Sequence, residues 1–127
     1  MKRVLIVDDS KIMSNYIRSL MESHGFEVVG QASSGDRGVA LYKDLHPDLV
    51  TMDIMMPEMD GIEALKKIRA FDPKANVIMV TAMDSEAIIK EAFEAGAKGF
   101  HVKPFDSAKL IQELEMLSDK IKVNSCA

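Results

Sequence analysis

The sequence predicts an α/β domain, a doubly wound sheet of five parallel strands with helices on both faces. Three observations predict it. Short apolar runs rich in β-branched residues alternate with segments of helical periodicity. Several of those runs are apolar almost throughout, as expected of strands covered on both faces. A helical segment follows each run, as in a series of βα units.

The runs read as strands are Arg3–Val7, Glu27–Ala32, Leu49–Met52, Asn76–Thr81 and Gly99–Val102. Ser10–His24 forms the first helix, with Ile12, Tyr16, Ile17, Leu20 and Met21 at helical spacing and Gly25 as terminator. Asp36–Leu45 forms the second, although Val39, Leu41, Tyr42 and Leu45 give no single clean stripe. Asp60-Gly61-Ile62-Glu63 has the spacing of a capping box and opens a third helix through Phe71. Ser85–Ala95 is capped by Asp84 or Ser85 and closed by Gly96. The last helix runs from Ser107 to Ile121, with Leu110, Leu114, Leu117 and Ile121 on one side. Residues 1–121 thus make one domain, and 122–127 a frayed tail.

Composition narrows the function. The 127 residues are 47% apolar and 28% charged, which suits one soluble domain with one core. A net charge of -4 without a basic stripe argues against direct nucleic-acid binding. No apolar run approaches the roughly 20 residues that span a bilayer, so no membrane insertion is expected. Met1-Lys2-Arg3 leads straight into a strand without a small-residue cleavage site, and one cysteine, Cys126, allows no internal disulfide. Both features predict a reduced, cytoplasmic protein in which Cys126 is an incidental thiol.

Charged residues close three of the strands. Asp8-Asp9 follows Val4-Leu5-Ile6-Val7, Asp53 follows Leu49-Val50-Thr51-Met52, and Lys103-Pro104 follows Gly99-Phe100-His101-Val102. Right-handed crossovers that cover both faces require one reversal of winding. The usual five-strand solution has order 2-1-3-4-5, with a ligand crevice between the carboxyl ends of strands 1 and 3. That order brings Asp8, Asp9 and Asp53 together, with Thr81 and Lys103 on the same rim. Two unit charges ~5 Å apart cost about 3 kcal/mol at an effective dielectric near 20. A divalent cation offsets that repulsion; hard oxygen ligands with few protein positions suit Mg²⁺, with Mn²⁺ as the substitute. Lys103 adds a point charge, and an anion can bridge metal and lysine.

The residues Val7-Asp8-Asp9-Ser10, Met52-Asp53-Ile54-Met55-Met56-Pro57-Glu58-Met59-Asp60-Gly61, Val80-Thr81-Ala82 and Val102-Lys103-Pro104-Phe105 stand in order at the strand ends. In these motifs the chain resembles the receiver domain of bacterial two-component response regulators, of the CheY type, from about Lys2 to Lys120. The resemblance implies a flavodoxin-like fold and a set of roles. Asp53 would accept a phosphoryl group from the phosphohistidine of a sensor kinase. Asp8, Asp9, Asp53 and the Met55 backbone carbonyl would ligate Mg²⁺. Thr81, Ala82 and Lys103 would hold the phosphoryl oxygens, and the Lys103-Pro104 bond would be cis. Thr81 and Phe100 would act as the switch, and Gly61 matches a glycine in the loop after the acceptor. Met55 and Met83 occupy positions that gate water access to the acyl phosphate.

The resemblance implies a phosphoacceptor switch rather than an enzyme, one that assists only its own phosphotransfer and slow self-dephosphorylation. Its partners would be a sensor histidine kinase or histidine phosphotransferase and a protein target on the fourth helix, fifth strand and fifth helix. A monomer is the expected state, with dimerisation on phosphorylation open. Two pathways fit, a chemotaxis messenger or a phosphorelay intermediate. Phe100 stands where chemotaxis members commonly carry Tyr, and it lacks the hydroxyl. An aspartate-nucleophile phosphatase would carry Asp-x-Asp after the first strand, where this chain has adjacent acids and Lys11 two positions beyond Asp9. A flavodoxin-type electron carrier would need a hydroxyl- and Gly-rich phosphate loop where Asp8-Asp9 stands. His24 and His46 flank helix ends as exposed residues, and His101 is a candidate for the partner surface.

Overall fold

The computed structural model describes residues 2–126, with side chains described for 2–120. Its elements alternate along the chain: β1 (Arg3–Val7), α1 (Lys11–Ser23), β2 (Glu27–Ala32), α2 (Gly35–Leu45), β3 (Leu49–Met52), α3 (Gly61–Phe71), β4 (Val77–Thr81), α4 (Glu86–Glu94), β5 (Gly99–Val102) and α5 (Ser107–Cys126). The five strands are parallel in the order β2-β1-β3-β4-β5. The chain therefore winds one way from β1 to β2 and the other way from β3 onward, which is the reversal that right-handed crossovers covering both faces require.

Alternation along each strand divides the core in two. Leu5, Val7, Val50, Met52, Val77 and Met79 face the side covered by α2, α3 and α4, where they meet Val39, Tyr42, Ile62, Leu65, Ile68 and Ala92. Val4, Ile6, Leu49, Ile78 and Val80 face α1 and α5, where they meet Ile17, Met21, Leu110, Ile111 and Leu114. Central strands β3 and β4 are buried along their whole length, whereas the edge strands β2 and β5 are mostly half-buried. Both faces of the sheet are thus closed to water, and polar chemistry is left to its ends.

Several boundaries follow from capping. Ser10, Ser34, Asp60 and Ser85 cap α1, α2, α3 and α4, each accepting a backbone N–H from three residues on. Ser85, not Asp84, therefore caps α4. Gly25 and Gly96 take positive φ just beyond α1 and α4, as their terminating roles require. β4 begins at Val77, although the Asn76 carbonyl still accepts from Val50 N–H.

Two helices differ from the stripe read in the sequence. α1 buries Ser14, Ile17 and Met21, while Ile12 is 85% exposed and Tyr16 51%. Those two form one i, i+4 row to the side of the sheet-facing arc; Tyr16 turns to α5, where its hydroxyl bonds Ser107 Oγ at 3.0 Å. α2 buries Gly35, Gly38, Val39 and Tyr42. A Cβ on Gly38 would meet the Val7 methyls at 2.9 Å. The face that seats α2 is thus made partly of missing side chains, so it leaves no apolar stripe. α5 runs to Cys126, where the leucine spacing ends it at Ile121. The side chains of 121–127, including the Cys126 thiol, lie outside the described residues.

Leu65 is fully buried beneath the sheet. Leu65→Ala leaves a cavity there and is expected to cost about 2 to 5 kcal/mol of stability, read as a lower urea midpoint at unchanged slope.

Candidate functional site

The carboxyl ends of β1, β3 and β5 deliver the charged residues to one place. Asp8 N–H donates to the Ala32 carbonyl and Asp53 N–H to the Val7 carbonyl, both at 2.9 Å, so the parallel ladder carries on past the last strand residues and fixes both acids. Lys103 N–H donates to the Thr81 carbonyl at 2.7 Å, and the Lys103–Pro104 peptide is cis. Asp8 and Asp53 are buried, at 3% and 6% exposed, whereas Asp9 is exposed. Neither acid caps α1. Ser10 does, and its own N–H donates to Asp8 Oδ1 at 2.8 Å.

Lys103 ties the site together. Its Nζ lies 2.7 Å from Asp8 Oδ2 and 3.3 Å from Asp53 Oδ2, with the lysine side chain 15% exposed. Burial pushes the Asp8 carboxyl above its usual range. The Lys103 contact and the Ser10 N–H oppose that shift, and the charge on Asp53 adds to it. One ammonium therefore pairs with two buried carboxylates in a partly dry pocket.

Oxygens of Asp8, Asp9 and Asp53 lie within 4.8 Å of one another, close enough to hold one metal ion. All three donors are hard oxygens, and Asp9 leaves the cluster open to solvent on one side. That donor set fits a hard divalent cation that keeps some of its water.

The neighbouring residues form the rim. Thr81 is fully buried, and its Oγ1 accepts from Met83 N–H at 3.3 Å; Ala82 is exposed beside it. An open cleft of about 520 Å³ runs from Asp9 past Met55, Met56, Pro57, Met83 and Ile88. Met55 is 60% exposed and Met83 half-buried, so two thioether side chains flank the approach to the acids. Phe100 is half-buried against the α2–α4 core. His101 points to the other face, where its Nε2 meets Glu113 Oε1 on α5 at 2.9 Å, its side chain 14% exposed. His101 is thus engaged within the fold.

Two glycines hold the loop after Asp53. A Cβ on Gly61 would fall within van der Waals overlap of the Asp53 carbonyl, and Gly61 N–H donates to the Ile54 carbonyl at 2.8 Å. Gly61 is therefore required by close backbone approach, which the motif alone did not explain. A Cβ on Gly35 would meet the Met59 carbonyl at 2.6 Å. Gly35 was not singled out in the sequence; its partner is 24 positions away along the chain and no local signal marks it.

The raised Asp8 value has a definite sign. An acid that holds its proton more tightly when folded stabilises the fold below its unfolded value and loses that contribution as pH rises through the folded value. Without divalent metal, Asp8→Asn should therefore raise stability at neutral pH, with the gain shrinking as pH falls towards the ordinary Asp range near 3.8. Urea unfolding at a series of pH values reads this directly.

Residues 4–115 match the model of the response regulator receiver domain. The chain is 47% identical to chemotaxis protein CheY of Thermotoga maritima, over 92% of this chain and 98% of that one. It is 52% identical to Protein CcdB of Bacillus subtilis, over 88% of this chain and 93% of that one. Among solved structures it is similar to a CheX–CheY–BeF₃–Mg²⁺ complex from Borrelia burgdorferi, at a TM-score of 0.88 and 41% identity over 91% of this chain and 88% of that one. No described helix is long and apolar enough to cross a membrane. With its strand order, its converging acids and these relatives, the chain belongs to the response regulator receiver domains and is a response regulator of the CheY type.

Proposed function

We propose that Asp53 is the phosphoacceptor of a Mg²⁺-dependent switch, charged by the phosphohistidine of a sensor kinase or histidine phosphotransferase. The observation that carries this reading is the placement of Asp53: 6% exposed, 3.3 Å from the Lys103 ammonium and within a three-carboxylate cluster. An Asp53 carboxylate oxygen attacks phosphorus, the phosphorus–nitrogen bond to the donor imidazole breaks, and the imidazole leaves with the bond's electron pair and takes a proton. A bound Mg²⁺ supplies charge neutralisation for the transferring group. Asp8, Asp9, Asp53 and the Met55 carbonyl would hold it. Lys103 shifts from its pair of carboxylates to a phosphoryl oxygen, and Thr81 turns its hydroxyl from Met83 N–H to another, with Ala82 N–H beside it.

The product adds negative charge between Asp8, Lys103 and Thr81. Movement of Thr81 would free space toward β5 and let Phe100 repack, biasing the α4–β5–α5 surface on which a target protein docks. We read the chain as a soluble, cytoplasmic, monomeric messenger, with the relatives named chemotaxis protein CheY in support. The missing hydroxyl at Phe100 keeps a phosphorelay role as the second reading. The chemistry asked of the chain is its own phosphorylation and slow dephosphorylation, not turnover of a separate substrate.

Two experiments test this. Acetyl phosphate with Mg²⁺ should add one phosphoryl mass to the wild type and none to Asp53→Asn; an unlabelled wild type, or labelling that survives the substitution, would reject Asp53. Met55 and Met83 should keep water from the acyl phosphate, so Met55→Asn and Met83→Glu together should speed its decay by about tenfold, or about 1.4 kcal/mol of barrier. Decay of the phosphorylated mass over time measures it.

A further inference from the structure

At the opposite end of the sheet, an open cleft of about 670 Å³ lies at the amino ends of β3, β4 and β5. Strands of this length put it about 15 Å from the acidic site. Its walls carry four cations, Arg69, Lys74, Lys98 and Lys120, against two carboxylates, Asp48 and Asp72. In a chain of net charge -4, that is a local reversal of sign.

The two carboxylates are already engaged. Asp72 Oδ2 accepts from the Tyr42 hydroxyl at 2.7 Å and its Oδ1 from Lys74 N–H at 3.0 Å. Asp48 Oδ2 accepts from Arg3 N–H at 2.9 Å. Burial and the Asp72 carboxylate push the Tyr42 hydroxyl far above its usual value, so it stays a neutral donor to Asp72. None of the four cations forms an ion pair among the described residues.

Arg69 is the most telling. The arginines that donate to protein acceptors are Arg3 and Arg18. Arg69 is half-buried, and its guanidinium lies over Gly96, where an added Cβ would meet Nε at 2.5 Å. It is thus a positioned fork of donors with no protein acceptor among the described residues. The negative end of the α3 dipole explains one cation in its last turn, Arg69 itself. It does not explain Lys74 and Lys98, which lie in loops, or Lys120, within α5.

We infer that this cleft binds a small multivalent phosphate anion, with Arg69 engaging phosphate oxygens bidentately and Lys74, Lys98 and Lys120 supplying point charges. A polyphosphate matches the surplus of positive charge better than a single carboxylate, and the guanidinium fork matches its paired oxygens. The source is either a nucleoside triphosphate or inorganic polyphosphate; the phosphate chemistry is common to both. This site is independent of the proposed phosphoacceptor.

The test is an amide-shift titration of the full chain, without Mg²⁺, using inorganic triphosphate, ATP, and sulfate at matched ionic strength. Triphosphate and ATP should shift amides around 48, 74–76 and 96–98, saturably, while leaving 8–9, 53 and 81 in place. Arg69→Gln should weaken binding about tenfold and Arg69→Lys by less, since charge is kept and the fork lost. Lys98→Gln with Lys120→Gln, at exposed positions that do not threaten folding, should also weaken it about tenfold. Tighter binding of ATP would identify the nucleotide as the source, and equal binding the inorganic chain; either supports the site. Equal shifts with sulfate, shifts centred on the acidic site, or unchanged affinity in both the arginine and the double-lysine variants would overturn it.

Discussion

One ammonium between two buried carboxylates organises this molecule's functional end. Lys103 reaches 2.7 Å from Asp8 and 3.3 Å from Asp53, and without it two acids would sit nearly dry side by side. Two like charges so placed cost several kcal/mol at any realistic protein dielectric. Even with Lys103 three carboxylates face one ammonium in the cluster, and burial, more than the Asp53 charge, holds Asp8 above its usual range. The fold therefore holds its site in a state that a cation relieves.

The fold makes this concentration of charge affordable. Both faces of the sheet are sealed, one by α2, α3 and α4 and the other by α1 and α5. Polar side chains can therefore gather only at the strand ends, where backbone groups are still available. The ladder bonds that carry β1 and β3 one residue further, to Asp8 and Asp53, set their separation more rigidly than loop residues could. Gly61 then folds the following loop back against the Asp53 carbonyl, so the acid is held by backbone on both sides.

One cleft at the opposite end of the sheet carries the reverse charge. There the helices end and the strands begin, and cations collect around a cleft whose two acids are engaged by Tyr42, Lys74 and Arg3. The two sites thus carry opposite charge, acidic at the carboxyl ends of the strands and basic in this cleft at the amino ends. A net charge of -4 conceals that arrangement.

The strand order came from the usual solution for five parallel strands; the sequence by itself determined the element order and the identity of the acids that close the strands. Those features rest on local signals: runs of β-branched residues, caps three residues before an N–H, and charges placed just after strands. Where the sequence misled, burial was decided by neighbours distant along the chain. Ile12 and Tyr16 share the helical period of Ile17 and Met21, yet only the seating of α1 between β1 and α5 selects which row is covered. α2 left no stripe because Gly35 and Gly38 bring it close to Val7 and Met59 by having no side chain at all. The pairing of His101 with Glu113 on α5, by contrast, joins two elements and is not visible in either segment alone. Likewise, only the tertiary structure could collect Arg69, Lys74, Lys98 and Lys120 into one cleft. Charge at a single position is written in the chain, but the distance between charges is set by packing.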